Sequence, residues 1–355
     1  MSRVISPKPA RTIAVISVVI VGLLSGCGDE PPAQPEVWDT GLDGPAGSRG
    51  PGGTEPIAGR QLYINPESSA AKQVAAWRAE GRTAEADAIA EIADRPTAVW
   101  LTADAGAVQA QVDRVVGAAQ AADRLPVLVT YNIPHRDCGG YSSGGAASPE
   151  AYRDWIAAIA RGIAGRPAVV ILEPDAIPHV LDGCLTERIN ERFALLTESI
   201  AMLKKEGRTR VYLDAGNPNW VDDVPKLARA LRHGGVEAAD GFSLNVSNFI
   251  DLEKNITYGN RVSDELGGAH FVIDTSRNGN GALPAGGQTD GGPNWCNPPG
   301  RALGHPPTTE PDEDRVDAYL WVKFPGESDG ACRPGEPRAG QWWPDYALGL
   351  VAETK

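Results

Sequence analysis

Short apolar segments alternate with longer amphipathic segments along most of the chain, beginning near Gln61. Seven of the apolar segments have the length and the β-branched content of buried strands. The predicted strands are Ala98–Thr102, Pro126–Tyr131, Ala168–Leu172, Arg210–Leu213, Gly241–Asn245, His270–Ile273 and Ala318–Val322. Because these runs are nearly continuous rather than alternating, the strands are predicted to be covered on both faces, as in a parallel sheet.

The segments between these strands have helical character. An Ala-rich segment, Pro66–Ala93, precedes the first strand and is predicted to be mostly helical. Further helices are predicted at Ala105–Ala122, Pro149–Gly165, Glu187–Glu206 and Val224–Arg232. Alternating strands and helices indicate an α/β fold with a mainly parallel sheet. About seven strands in about 290 residues favour a closed or nearly closed α/β barrel, and a doubly wound open sheet is the alternative.

The N-terminus has the pattern of an export signal. Three basic residues precede the apolar run Ile13–Leu24, which is too short for a stable membrane span. The following Leu24–Cys27 resembles a bacterial lipobox, so residues 1–26 are predicted to be a signal peptide and Cys27 a lipid anchor. An incidental cysteine near an ordinary cleavage site is the alternative. Both interpretations predict an exported protein, either anchored to the membrane at the cell surface or secreted.

A segment rich in Pro, Gly and acidic residues follows the predicted signal peptide. Its glycines recur at every third position from Gly41 to Gly53, but collagen needs far longer arrays. Residues 27–60 are therefore predicted to be a flexible tether, and residues 61–355 a single catalytic domain.

Composition narrows the range of functions. The formal net charge is −13 at pH 7, and an acidic chain repels phosphate backbones, which argues against nucleic-acid binding. The four later cysteines are Cys138, Cys184, Cys296 and Cys332. They lack the CxxC spacing of zinc sites, and export favours disulfides over metal thiolates. Three pairings are possible, of which the sequential one closes two moderate loops.

Acidic residues follow several of the predicted strands. They are Asp137, Glu173, Asp175, Asp214, Glu327 and Asp329. Since the carboxyl ends of parallel strands meet at one edge, these side chains are predicted to converge there. One such acid could simply cap a helix, but converging acids bind a hard cation or carry out acid–base chemistry. A protonated acid beside an ionised one is the requirement for glycoside cleavage.

Aromatic residues near the same edge are consistent with a sugar ligand. Nine Trp against five Phe invert normal usage, and indole rings stack on the apolar faces of pyranoses. Trp100 and Tyr131 lie at or near strand ends, Trp220 follows a strand, and Trp295 lies in a long irregular segment. Core packing is the alternative for each ring. The chain contains no HExxH and no Walker A motif.

Five separated motifs together resemble glycoside hydrolase family 6, the cellulases, and in particular its actinobacterial endoglucanases. They are YNIPHRDC at Tyr131–Cys138, ILEPD at Ile171–Asp175, YLDAG at Tyr212–Gly216, NVSN at Asn245–Asn248 and WVKFPGESDG at Trp321–Gly330. The resemblance extends from about Gln61 to Lys355, with the four cysteines in the expected places. It implies a distorted, incomplete β/α barrel and inverting, metal-free hydrolysis of β-1,4-glucan without a cofactor.

The resemblance also implies roles for individual residues. Asp175 matches the general acid, Asp137 the aspartate that raises the pKa of that acid, and Tyr131 the tyrosine that distorts the sugar ring. Asp329 matches the proposed base, with a water relay through Asp137 and Ser143 as the alternative. The implied substrate-binding residues are Trp100, Ser143, Asp214, Asn217, Trp220, Asn248, Trp295, Lys323 and Glu327. Asn217 stands where family members often carry His.

Endo action on soluble or amorphous glucan is predicted from two features. The segments Cys138–Cys184 and Cys296–Cys332 are compact, which favours an open cleft, and only the tether precedes the domain, without a carbohydrate-binding module. The chain is expected to act as a monomer. The alternatives are a surface glucan-binding protein with little turnover, and a cellobiohydrolase or other polysaccharide hydrolase on the same fold.

Overall fold

Seven strands pair side by side in one parallel sheet in the computed structural model, which describes residues 56–354. The strands are β1 Val99–Leu101, β2 Val127–Thr130, β3 Ala168–Leu172, β4 Thr209–Asp214, β5 Gly241–Leu244, β6 His270–Asp274 and β9 Val316–Leu320. A two-stranded antiparallel hairpin, β7 Gln288–Thr289 and β8 Gly292–Pro293, lies between β6 and β9 in the chain. Cys27, the predicted signal peptide and most of the predicted tether lie outside the described residues.

The sheet curls into an incomplete barrel. Its strand order, β1-β2-β3-β4-β5-β6-β9, follows the chain, whereas a doubly wound sheet reverses direction partway. The edge strands β1 and β9 form no ladder with each other. Beside them, Ala98 N donates a hydrogen bond to Trp321 O at 2.9 Å. The predicted incomplete β/α barrel is confirmed, and the open-sheet alternative is wrong.

Helices connect the strands and cover the outside of the sheet. They are α1 Ser69–Ala79, α2 Thr83–Ala93, α3 Ala105–Ala121, α4 Pro149–Ile163, α5 Pro178–Leu181, α6 Ile189–Lys204, α7 Val224–His233, α8 Leu252–Glu265 and α9 Pro344–Ala352. The predicted helix Pro66–Ala93 is two helices, because Gly81 between them adopts φ 77°. Sequence reasoning missed α5, α8 and α9. The buried face of α8 mixes the apolar residues Ile256, Tyr258 and Val262 with Asn255, Gly259 and Ser263.

The hydrophobic core has two parts. Inward-facing residues of the strands fill the barrel, and a second cluster packs α1, α2 and α9 together. Ile57 is buried in the barrel cluster, so packed structure begins a few residues before Gln61. Trp155 and Trp321 are buried, as predicted. Within residues 56–354, no helix is both long and apolar enough to cross a bilayer.

Candidate active site

A cleft of about 1010 Å³ lies at the carboxyl ends of the strands. Twelve of the thirteen residues predicted to be catalytic or substrate-binding line it: Trp100, Tyr131, Asp137, Ser143, Asp175, Asn217, Trp220, Asn248, Trp295, Lys323, Glu327 and Asp329. The exception is Asp214. The parallel topology therefore brings together motifs that are separated by up to about 200 residues in the sequence.

Asp175 lies just after β3, at the floor of the cleft. Tyr131 Oη donates a hydrogen bond to Asp175 Oδ2 at 3.0 Å. Burial, and after it the negative charge of Asp214, raise the pKa of Asp175 to about 7. Asp137 adds a smaller effect in the same direction. Such a carboxyl group can hold a proton near neutral pH and release it during a reaction.

Asp214 is buried and is not among the residues that line the cleft, so its predicted part in substrate binding stays a prediction. Its carboxylate accepts hydrogen bonds from the backbone N–H of Asp175 at 3.0 Å and of Gly216 at 3.2 Å. Ser243 Oγ donates a further bond at 3.2 Å, and burial raises the pKa of Asp214 to about 6. Asp214 therefore positions the backbone of Asp175 and raises the pKa of the Asp175 side chain.

Two other buried acids hold the loops of the cleft in place. Sequence reasoning placed Glu173 among the converging acids without an individual role, and it did not name Asp274. Glu173 accepts hydrogen bonds from the backbone N–H groups of Asn132 and Ile133, each at 2.9 Å. Asp274 accepts bonds from the N–H groups of Ser247 at 3.0 Å and Lys323 at 2.9 Å. Burial raises the pKa of both acids. The strand-end acids thus divide into those that face the cleft and those that fasten its loops.

The loop after β2 presents Asp137 to the cleft. Asp137 Oδ2 accepts a hydrogen bond from Ser142 N at 2.5 Å, which closes the loop on itself. The Arg136 guanidinium lies 4.7 Å from the centre of the Tyr131 ring and donates to Tyr131 O at 2.6 Å. Gly145 is required here, because a Cβ on it would lie 2.0 Å from Ile133 O. These contacts hold Asp137 and Tyr131 in one local unit.

Backbone strain concentrates around the same edge of the sheet. Seven of the eleven described non-glycine residues with positive φ lie in the loops after β2, β3 and β5: His135, Asp137, Cys138, Glu173, Asp175, Asn245 and Ser247. Left-handed conformations cost free energy for such residues and persist where surrounding contacts enforce them. Their clustering marks this edge as the functional end of the barrel.

Asp329 forms a buried ion pair on another wall of the cleft. Arg277 binds it with both terminal nitrogens, Nη1 to Oδ2 and Nη2 to Oδ1, each at 2.9 Å. Lys323 Nζ lies 3.6 Å from Oδ1, and Asn297 N donates to Oδ2 at 3.0 Å. Burial is the largest single effect and would lower the pKa of Arg277, but the charges of Asp329, Tyr346 and Asp274 and the hydrogen bond to Asp329 together raise it. Both carboxylate oxygens are therefore already engaged.

Arg277 was missed by sequence reasoning because it lies in the irregular segment after β6 and belongs to no motif. Its side chain is fully buried, with the guanidinium 4.2 Å from the centre of the Phe249 ring and Nη2 donating to Ser247 O at 2.6 Å. Burial lowers the pKa of Lys323 and raises that of Glu327, both predicted substrate-binding residues.

The aromatic residues surround the acids. Trp100 packs edge-on against Tyr131, with ring centres 5.2 Å apart, and its Nε1 donates to Val322 O at 2.8 Å. Trp295 is 51% exposed and lies 6.0 Å from Tyr141, which is 49% exposed and was not predicted. These exposed rings are available to stack on sugar faces.

The disulfides are Cys138–Cys184 and Cys296–Cys332. The sequential pairing is therefore confirmed among the three that the sequence allows. Asp137 precedes the first bridge and Trp295 precedes the second, so each bridge restrains a loop that carries a cleft residue.

The spacing of Asp137, Asp175 and His179 is compatible with a metal ion, since their ligand atoms lie within 4.8 Å of one another. Hard cations require ionised carboxylates. Asp175 has a pKa near 7 and already accepts a hydrogen bond from Tyr131. The cluster therefore suits proton transfer better than cation binding.

Comparison with known proteins identifies relatives of this domain. The sequence model of the family described as Glycosyl hydrolases family 6 matches residues 57–354. Endoglucanase 1 of Streptomyces halstedii is 45% identical over 82% of this chain and 88% of its own length. Endoglucanase A of Cellulomonas fimi is 42% identical over 85% of this chain and 62% of its own length.

A solved structure of the endoglucanase Cel6 from Mycobacterium tuberculosis superposes on this chain with a TM-score of 0.77. It is 44% identical and covers 84% of this chain and 98% of its own. That structure is a complex with methyl-cellobiosyl-4-deoxy-4-thio-β-D-cellobioside.

Proposed function

Because this chain belongs to glycosyl hydrolases family 6, we propose that it cleaves internal β-1,4-glucosidic bonds of cellulose or a related β-glucan. It is a glycoside hydrolase of the cellulase type, as its endoglucanase relatives indicate. The observation that carries the assignment is the buried Asp175, whose pKa is about 7, at the floor of a cleft that Trp100, Trp220 and Trp295 line. A protein that only bound glucan would need the rings but not this acid.

The proposed reaction is a single displacement with inversion. Asp175 donates its proton to the glycosidic oxygen as the bond to C1 breaks, and a water molecule attacks C1 from the opposite face. Asp329 is the proposed base that accepts the proton of this water, with a relay through Asp137 and Ser143 as the alternative. The hydrogen bond from Tyr131 to Asp175 supports the acid role. Arg277 places Asp329 at the cleft wall but engages both of its oxygens, so the base role requires that this pairing loosen as the water is deprotonated.

Endo action is tested by viscometry on a soluble cellulose derivative. Internal cuts shorten the polymer early, so viscosity is expected to fall steeply while few reducing ends have appeared. The Asp175→Asn variant, assayed in parallel, controls for contaminating cellulase. Reducing ends that accumulate without a fall in viscosity would indicate exo action instead.

Inversion predicts that the first-formed product is the α-anomer. The measurement is NMR of the anomeric protons within the first minutes of cello-oligosaccharide hydrolysis, before mutarotation equilibrates the product. A β-anomer as the initial product would exclude the single-displacement mechanism while leaving the hydrolytic function intact.

The activity is expected to fall as the pH rises through about 7, because Asp175 must be protonated to act as the acid and its pKa is about 7. The measurement is kcat/KM against pH on a soluble oligosaccharide. A flat profile between pH 6 and 8 would contradict the assignment of Asp175 as the acid.

We propose that the protein is exported and anchored to the membrane by a lipid on Cys27, with the segment before the barrel acting as a tether. The basic residues, apolar run and lipobox-like Leu24–Cys27 support this proposal. Mass spectrometry of the mature N-terminal peptide is expected to show a diacylglycerol-modified Cys27. An unmodified residue after Gly26 in that peptide would contradict the lipid anchor.

We propose that the active form of the protein is a monomer. Light scattering in solution measures its molar mass and tests this proposal.

A further inference from the structure

One imidazole lies among the acids of the cleft and has no part in the mechanism above. His179 is on α5, shortly after Asp175, and its side chain is 12% exposed. Its Nδ1 lies 3.1 Å from Asp182 Oδ2. Its Nε2 is buried without a hydrogen-bond partner within residues 56–354. Burying a polar atom without a partner is costly, so this arrangement requires a physical reason.

The unpaired nitrogen faces two residues of the proposed machinery. Nε2 lies 3.9 Å from Asp137 Oδ1, and an oxygen of Asp175 is within 4.8 Å of the imidazole nitrogen. The Trp220 ring contacts the imidazole at 4.9 Å between ring centres and at 74°, which restrains the ring orientation. A movement of Asp137 by about 1 Å would close the gap to a hydrogen bond.

The direction of hydrogen bonding decides what this nitrogen can do. Asp182 accepts a hydrogen bond from Nδ1–H, so the neutral ring turns a lone pair of Nε2 towards the Asp137 carboxylate, and two acceptors do not bond. A proton on Nε2 converts the contact into a charge-assisted hydrogen bond. The charged groups around the ring are Asp137 after β2, Asp175 after β3 and Asp182 on its own segment. Arg192 on α6 interacts in turn with Asp175 and Asp182.

We propose that His179 is a positioning residue whose protonated imidazole draws Asp137 towards Asp175, with Asp182 holding the opposite side of the ring. This inference rests on the proposed function. Arg192 on α6 donates to Pro134 O at 2.9 Å, in the same loop as Asp137. The positive charge of the imidazole also acts on the acid, since His179 lowers the pKa of Asp175.

Two substitutions separate the functions of the two ring nitrogens. The amide of His179→Asn reaches the position of Nδ1 and keeps the contact with Asp182, whereas the amide of His179→Gln reaches towards Nε2 and restores an uncharged donor. His179→Asn is expected to lower kcat at least about tenfold with little change in KM. The alkaline limb of the pH profile, where kcat/KM falls as the pH rises, is expected to move to a pH about one unit higher, since a positive charge beside Asp175 is lost.

His179→Gln is expected to recover part of kcat while showing the same upward shift of the alkaline limb, because it restores the donor but not the charge. In the Asp137→Asn background, His179→Asn is expected to lower kcat no further. His305→Asn is the control, since this exposed ring contacts Pro306 O outside the cleft, and it is expected to behave as wild type.

Two results would overturn the positioning role: a His179→Asn enzyme with wild-type kcat and pH profile, or a His179→Gln enzyme with an unshifted alkaline limb. The second variant decides the question if the first does not fold. Failure of the proposed function looks different, because the wild-type protein itself would then not hydrolyse β-1,4-glucan.

Discussion

Asp175→Asn is expected to lower kcat/KM on β-1,4-glucan by about 10²–10⁴-fold while the affinity for cello-oligosaccharides stays near that of wild type. The amide keeps the shape of the side chain and its contact with Tyr131 but has no acidic proton to give to the leaving oxygen. The measurements are reducing-sugar release and titration calorimetry with cellotetraose. Asp94→Asn, an exposed acid after α2, is the matched control.

This pair of measurements discriminates between a hydrolase and a binding protein. Loss of binding together with activity would show that Asp175 is needed for the cleft structure rather than for proton transfer. Retained hydrolysis would assign the acid role to another residue.

The same variant is expected to show a pH-dependent gain in stability. The folded-state pKa of Asp175 is about 7, raised above its ordinary value by burial. Its contribution to stability is therefore fully present in acid and is lost as the pH rises through about 7. An amide does not ionise. The melting temperature of Asp175→Asn is expected to be close to wild type at pH 4 and higher at pH 8.

Arg277→Met is expected to lower the free energy of unfolding by about 3–5 kcal/mol and to abolish most of the activity. The substitution leaves Asp329 buried without its bidentate partner and removes the bond to Ser247 O. Denaturant unfolding monitored by Trp fluorescence measures the first effect and oligosaccharide hydrolysis the second. Arg153→Met breaks an exposed pair with Glu198 and is the control, with an expected loss of at most about 1 kcal/mol.

The double variant Arg277→Met with Asp329→Asn tests the electrostatic explanation. Removing the stranded charge is expected to recover part of the lost stability but none of the activity. If the double variant is no more stable than Arg277→Met, packing against Phe249 rather than the ion pair explains the loss.

The hydrophobic pattern determined the fold class and the placement of six helices and seven strands with small errors at their ends. Buried strands such as Ala168–Leu172 read directly as continuous apolar runs, and Ser148 and Pro149 signal the start of α4. The motifs located the acids, because each acid stands at the end of its strand or in the loop that follows it. These features depend on residues that are neighbours in the chain, and so the sequence records them.

Only the tertiary structure decided which acids face the cleft. Asp175 lies just after β3 and Asp214 is the last residue of β4, yet only Asp175 lines the cleft, because their surroundings come from β3, β4 and β5 together. Arg277 binds Asp329 across 52 residues of sequence, and His179 on α5 approaches Asp137 only because the fold brings α5 beside the loop after β2. Burial and the proximity of charges act through space. The pattern of residues along the chain therefore does not show which side chains form ion pairs or how far their pKa values shift.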